Sequence, residues 1–341
     1  MATRKGKTVI TDKKPAFIAS AAVVGKKEGE GPLRDDFDKI FEDTTLGQDS
    51  WEKAESFLMK NAVITAVEKA GVAMKDIDGI FSGDLLNQCT GSAFALREFG
   101  IPFTGLYGAC STMALSLITA TLAIESGGMN TCVAATSSHF CSAEKQFRYP
   151  LEYGGQRSPT AQWTVTGSGA AVLSCRENSS LPFIDKVHIG TIEDLGIKDM
   201  TNMGAAMAPA AFRTLSEFFR DTQTSAEDYD AIFTGDLGFV GSELLKELMK
   251  RECGTDLSKN YSDCGLMIYD REKQDVHSGG SGCGCSASVL CSHILKNMNE
   301  GKYSNILFMA TGALMSPVSS KEGESIPGIA HLLNIKRRER K

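Results

Sequence analysis

GACST at residues 108–112 and GCGCSA at 282–287 decide the fold reading, because each sets a cysteine where an apolar strand hands over to a helix, once in each half of the chain. Two further pairs keep the same order. FSGDL at 81–85 answers FTGDL at 233–237, and MNTCVAAT at 129–136 answers SNILFMAT at 304–311. Cys110 to Cys285 and Thr136 to Thr311 share an offset of 175 residues, whereas the GDL strings lie 152 apart. The second half therefore carries about 23 extra residues, Cys264 and His277 among them. Two copies of a strand–helix–strand unit predict a duplicated α/β body, with halves at 1–175 and 176–341. The helices expected at 111–125 and 286–295 carry no formal charge on any face short of the terminal Glu125, so both are buried all round. Paired in a central layer, they give a five-layered α/β/α/β/α arrangement.

A charge-free stretch at 99–124 has the apolarity of a membrane span, but Pro102, Gly105 and Gly108 interrupt it, and it reads as strand, turn and buried helix. Lys5–Lys14 followed by AFIASAAVVG imitates a signal peptide without a convincing cleavage site and reads as a first core strand. The ten cysteines lie mostly in apolar segments without framework spacing, which points to free thiols in a reducing compartment. Net charge is −6, yet residues 1–14 and 336–341 each carry five basic groups against one acidic one. Basic ends on an acidic body argue against nucleic acid as the main partner; they are either solvated tails or contacts for an anionic membrane surface or an acidic protein.

Along the chain, residues 25–49 are expected to cross the surface without regular structure. A helix is expected from Trp51 to Ala70, capped by Asp49 or Ser50 and ended by Gly71. Strands are expected at 77–82, 103–107, 166–174 and 328–335, with another helix at 87–98.

Cys110 sits at a strand–helix junction, where unpaired N–H groups and the helix dipole favour a thiolate or an anion; its alternative is a small buried residue. His139 closes the same unit and is either its partner or a structural histidine. Asp84 and Asp236 end equivalent strands, to cap a helix or hold a ligand. Cys283, Cys285, Cys291 and His293 do not make a zinc site, since Cys291 and His293 fall about 200° apart on a helix. The Gly-rich loop 277–284 lacks the Lys-Ser/Thr of a phosphate loop, so no nucleotide cofactor is expected. The segment 142–163 brings Lys145, Arg148 and Arg157 alongside Tyr149 and Tyr153, either as a cover over Cys110 presenting donors to a planar anion or as a surface or intersubunit loop.

These features resemble the thiolase and ketoacyl synthase superfamily. GDLLNQ at 83–88, GACST, ATSSH at 135–139, QFRYP at 146–150, EYGGQ at 152–156, TVTGSGA at 164–170, MAPAA at 207–211 and ATGALMSP at 310–317 narrow the resemblance to the stage V sporulation protein AD family of spore-forming bacteria. The resemblance implies a part in loading dipicolinic acid, with its calcium, into the developing spore. It also implies membrane-embedded partners from the same operon, a peripheral place on the cytoplasmic side of the forespore inner membrane, and a homodimer. Condensing enzymes of the superfamily take His/His or His/Asn groups from the second half, whereas this chain offers Gly235-Asp236 and GGSGCGCSA there. The expectation is a non-catalytic pocket for a planar dicarboxylate formed by Asp84, Cys110, His139, Arg148, Asp236 and Cys283. An acyl-transfer enzyme using Cys110 and His139, or a scaffold without a ligand, are the alternatives.

Overall fold

The computed structural model describes residues 2–148, 157–175 and 180–338. In the first half the strands lie in the order Ala16–Gly25, Gly167–Ser174, Thr131–Ser138, Gly79–Gly83, Phe103–Gly105. The second half repeats this with Pro182–His188, Gly328–Arg337, Asn305–Ala313, Ala231–Thr234 and Tyr261–Asp263. Each set runs through two antiparallel pairings and then two parallel ones. The sets join where Ala16 meets Phe183, so the duplication legible in the GDL and Cys strings is a duplication of sheets.

Helices fill the space between and outside the sheets. Thr112–Glu125 buries Met113, Leu117, Ile118 and Ile124, and Cys283–Glu300 buries Val289, Leu290, Ile294 and Met298, in one core shared by both sheets. With no charged residue before their last turns, the bodies of these helices are stable only between two apolar sheet faces. The second widens into a π turn at Leu290–Ile294, where the Ser20 hydroxyl donates to the Cys291 carbonyl at 2.7 Å. Outside the first sheet, Trp51–Ala70 starts with the Ser50 side chain accepting from the Lys53 N–H and stops at left-handed Gly71 (φ 65°). Its Ala54, Leu58, Ala62 and Ala66 pack on the strands. Met203–Thr222 and Gly238–Cys253 cover the second sheet. Among the described residues no helix is long and apolar enough to cross a membrane.

Two expectations change, and one placement is new. Residues 25–49 are not devoid of regular structure: Lys39–Phe41 pairs in parallel with Ala16–Gly25, and Glu28, Leu33 and Leu46 are buried. The basic arm is not a solvated tail. Thr3–Lys5 and Thr8–Ile10 form a hairpin that pairs with Lys186–His188, and Lys7 is held by Glu217 at 2.9 Å. The extra residues of the second half fold back on the first, with the Tyr269 hydroxyl donating to the Glu28 carboxyl and Gln274 Nε2 to the Lys27 carbonyl.

Candidate functional site

Two turns converge from opposite halves. In the first, Ala109 takes a left-handed φ of 49°, a cost that a non-glycine residue bears only when its surroundings impose it. The N–H groups of Ser111 and Thr112 bond back to the Gly108 and Ala109 carbonyls at 3.0 and 3.2 Å, and both side-chain hydroxyls donate to the same two carbonyls. The helix start that sequence reading treated as an open donor cluster thus spends these N–H groups on its own turn. Strand Asn305–Ala313 packs directly behind it. A Cβ on Gly312 would come within 2.3 Å of the Gly108 carbonyl, so the glycine of ATGALMSP is there to let the second half approach Cys110.

From the second half, the loop at Gly280–Gly282 brings Ser281, whose Oγ lies 3.9 Å from Cys110 Sγ. Ser281 Oγ also donates to Asp236 Oδ2 at 3.2 Å and accepts from Arg148 Nη2 at 2.7 Å. Arg148 Nη1 donates to the Gln162 carbonyl at 2.7 Å, while its Nε is buried without a hydrogen-bond partner among the described residues. Asp236 also accepts from Gly282 N at 2.8 Å and from the Thr311 hydroxyl at 3.0 Å. Gln162 Nε2 closes the network on the Asp236 and Gly280 carbonyls at 2.7 and 2.8 Å.

Cys110, Leu85 and Cys283 form a small apolar cluster with Phe147 against it. A pocket of about 330 Å3 shares Phe147 with this cluster and is also lined by Glu144, Lys145, Arg148, Met200, Pro317 and Lys321. Burial, reinforced by the neighbouring Asp236, pushes the Cys110 thiol well above its ordinary range. That environment opposes the thiolate that the strand–helix junction suggested. Burial also raises Asp236, against the donors that stabilise its charge.

The remaining expected site residues divide. Arg148, Asp236 and Cys110 come together through Ser281. Cys283 joins the apolar cluster, its thiol donating to the Ser137 carbonyl at 3.0 Å. Cys285, the counterpart of Cys110 by offset, turns instead toward the Gly235 carbonyl in the central core. Asp84 is spent on a turn, accepting from Leu86 N at 2.8 Å and from Ser92 N and Oγ at 2.6 and 2.5 Å. Its counterpart Asp236 is free for the inter-half network because Asp263 takes over the equivalent capping, accepting from Leu237 N and Gly238 N at 2.9 and 3.1 Å.

His139 is not brought to Cys110. Its Nδ1 accepts from Cys141 N at 3.1 Å, its Nε2 faces the Thr44 carbonyl at 2.9 Å, and its ring packs on Trp51. Burial lowers its pKa, so it is a neutral capping histidine. Lys145 and Arg157 pair with Glu52 and Asp275, and Tyr149 and Tyr153 lie outside the described residues. Sequence reading missed Gln162 and Asp263 as site supports and gave Ser281 no role. No local pattern marks them, and only the pairing of Trp163–Thr164 with Gly280–Ser281 places Gln162 beside the second-half loop.

The model of stage V sporulation protein AD matches residues 5–336. The chain belongs to that family. Stage V sporulation protein AD of Bacillus subtilis (strain 168) is 45% identical over 327 residues, covering 96% of each chain. Membership of this family ties the chain to spore formation. Among solved structures, 3-oxoacyl-[acyl-carrier-protein] synthase III from Aquifex aeolicus VF5 matches with a TM-score of 0.58 at 12% identity, over 95% of this chain and 100% of that one. A point variant of OleA from Xanthomonas campestris matches at 0.61 and 12%, over 98% and 100%. The tetronic acid condensing enzyme AbyA1 matches at 0.57 and 15%, over 94% and 99%. The chain thus shares the thiolase-like fold of these enzymes over almost its full length.

Proposed function

We propose that this family member is a non-catalytic binding protein for dipicolinic acid, alone or with its calcium, and that it serves dipicolinate uptake into the developing spore. The observation that carries the reading is Arg148. Its guanidinium is fixed by Ser281 and the Gln162 carbonyl, and it lines a partly apolar pocket together with Lys145 and Lys321. A planar aromatic dianion fits such a wall: Phe147 offers ring contact, and Arg148 and Lys321 offer positive charge for the carboxylates. The neutral Cys110 thiol supports binding over catalysis, as does the absence from the Ser281 loop and the Asp236 position of the histidine or asparagine of the condensing enzymes.

The partners that fit are membrane-embedded proteins of the same sporulation operon, with the chain held peripherally on the cytoplasmic side of the forespore inner membrane. Lys14 and Lys336 both pair with Asp185 and Lys7 pairs with Glu217, so part of the basic character of the two ends is already spent within the fold. Attachment then depends on protein partners more than on lipid charge. A homodimer is the fitting assembly, because strand Phe103–Gly105 is an exposed sheet edge flanked by Phe94 and Tyr107, 56% and 51% exposed.

Incubating the purified chain with a series of acyl-CoA thioesters and weighing it by mass spectrometry separates binding from acyl transfer. No acyl adduct on Cys110 is expected. A thioester there that forms and turns over would establish the acyl-transfer alternative.

A further inference from the structure

Glu55, a carboxyl group that the binding site does not use, lies buried at 1% exposure in the outer helix Trp51–Ala70. It accepts from the Ser142 hydroxyl at 2.5 Å and from the Ser137 hydroxyl at 3.2 Å. Ser142 belongs to the short helix Phe140–Gln146, which runs directly into Phe147 and Arg148. The same two helices are joined by Lys145–Glu52 at 2.8 Å and by the packing of His139 on Trp51. Glu55 is therefore the buried member of a clamp that holds the segment carrying Arg148.

Hydrogen-bond accounting favours a neutral carboxyl. The Ser142 hydroxyl has one proton and two acceptors within reach, Glu55 Oε2 and the His139 carbonyl at 3.0 Å. A protonated Glu55 donates to Ser142, which then donates to His139, while Ser137 donates to the other carboxyl oxygen; every group is satisfied. An ionised Glu55 would be a buried charge facing two hydroxyls. The titratable groups on the elements around it are Asp84, Cys283, Glu52, Lys53, His139, Cys141, Glu144 and Lys145, and the two cations among these, Lys53 and Lys145, are paired with Asp49 and Glu52. Burial, with Asp84 nearby, raises Glu55 to about 8. A carboxyl raised in the folded state stabilises the fold less as pH rises, and in the native protein this proton is lost as pH passes through that value.

We propose that Glu55 is a positioning residue for the Cys110–Arg148 site, its neutral carboxyl tying the helix Phe140–Gln146 to the helix Trp51–Ala70, and that loss of its proton releases the tie. The proposal rests on the binding reading of that site only for its effect on ligand; the clamp itself can be read without one.

The chain's two tryptophans both abut the clamped helix, Trp51 on His139 and Trp163 stacked on Phe140 at 3.7 Å. Tryptophan emission of the ligand-free full chain, followed from about pH 6.5 to 9.5, should shift with a midpoint near pH 8. Glu55→Gln should be flat across the range, because the amide keeps one donor and one acceptor and carries no proton to lose. Dipicolinate affinity should fall about tenfold over the same range in the natural protein and stay level in E55Q, the loss of one charge-assisted contact. Wild-type emission that ignores pH, or E55Q that titrates as the natural chain does, would overturn the proposal. An E55Q-sensitive emission change without dipicolinate binding at either pH would keep the clamp and sink the dipicolinate reading alone.

Discussion

Arg148→Ala weakens dipicolinate binding by about 10- to 100-fold while the protein stays folded, because a charge-assisted hydrogen bond to a carboxylate is worth about 1.5–3 kcal/mol and each 1.4 kcal/mol is a factor of ten. The substitution removes the guanidinium and with it the contacts to Ser281 and the Gln162 carbonyl. Arg148→Lys should recover only a small part of the loss, since a single ammonium cannot span Ser281 and Gln162 and still face a ligand. Calorimetric titration of dipicolinate into each variant, with a thermal melt to confirm the fold, checks the order natural, R148K, R148A. Equal affinities across the three would remove Arg148 from the site.

Asp236→Ala should be the most destabilising change in the site, by about 3–5 kcal/mol. The side chain is fully buried and accepts from Ser281, Gly282 N and Thr311. Alanine leaves these donors without an acceptor and loosens the loop that presents Ser281 to Arg148. Asp236→Asn keeps the size and one acceptor oxygen, so its loss should fall between. Urea unfolding of the three proteins reads the effect, and a D236A midpoint within about 1 kcal/mol of the natural protein would show that the network contributes specificity without stability.

The duplication was legible because two copies of the same strand–turn–helix string, with charge-free helices, leave few ways to bury so much apolar surface. That gave the layers and most element positions, including Trp51–Ala70 with its Ser50 cap and Gly71 stop. The first core strand was also legible. The arm before it was not, since its five basic groups look like a solvated tail until the partners Glu217 and Asp185, distant in sequence, are in view. Residues 25–49 misled for a related reason: a three-residue strand and a buried Glu28 need long-range partners that no local pattern announces.

In the site, sequence reading named Cys110, Arg148 and Asp236, which come together through Ser281, and left His139 as either the partner of Cys110 or a structural histidine. Adjacency in one strand–helix–strand unit placed Cys110 and His139 near one sheet edge and said nothing of where the ring nitrogens point. The offset of 175 residues matched Cys110 with Cys285, whereas the helix opens two residues earlier and puts Cys283 beside it. Asp84 and Asp236 show how identical strings diverge: one remains a cap, while the other is released by Asp263, which belongs to a different strand.

The central claim is that a thiolase-like cleft here holds dipicolinate without chemistry. Titrating dipicolinate into the purified full chain by calorimetry, with and without calcium and beside Cys110→Ala, tests it most directly. The account predicts saturable binding of one ligand per chain, weakened in C110A with the fold intact. The absence of saturable heat in either condition would contradict it.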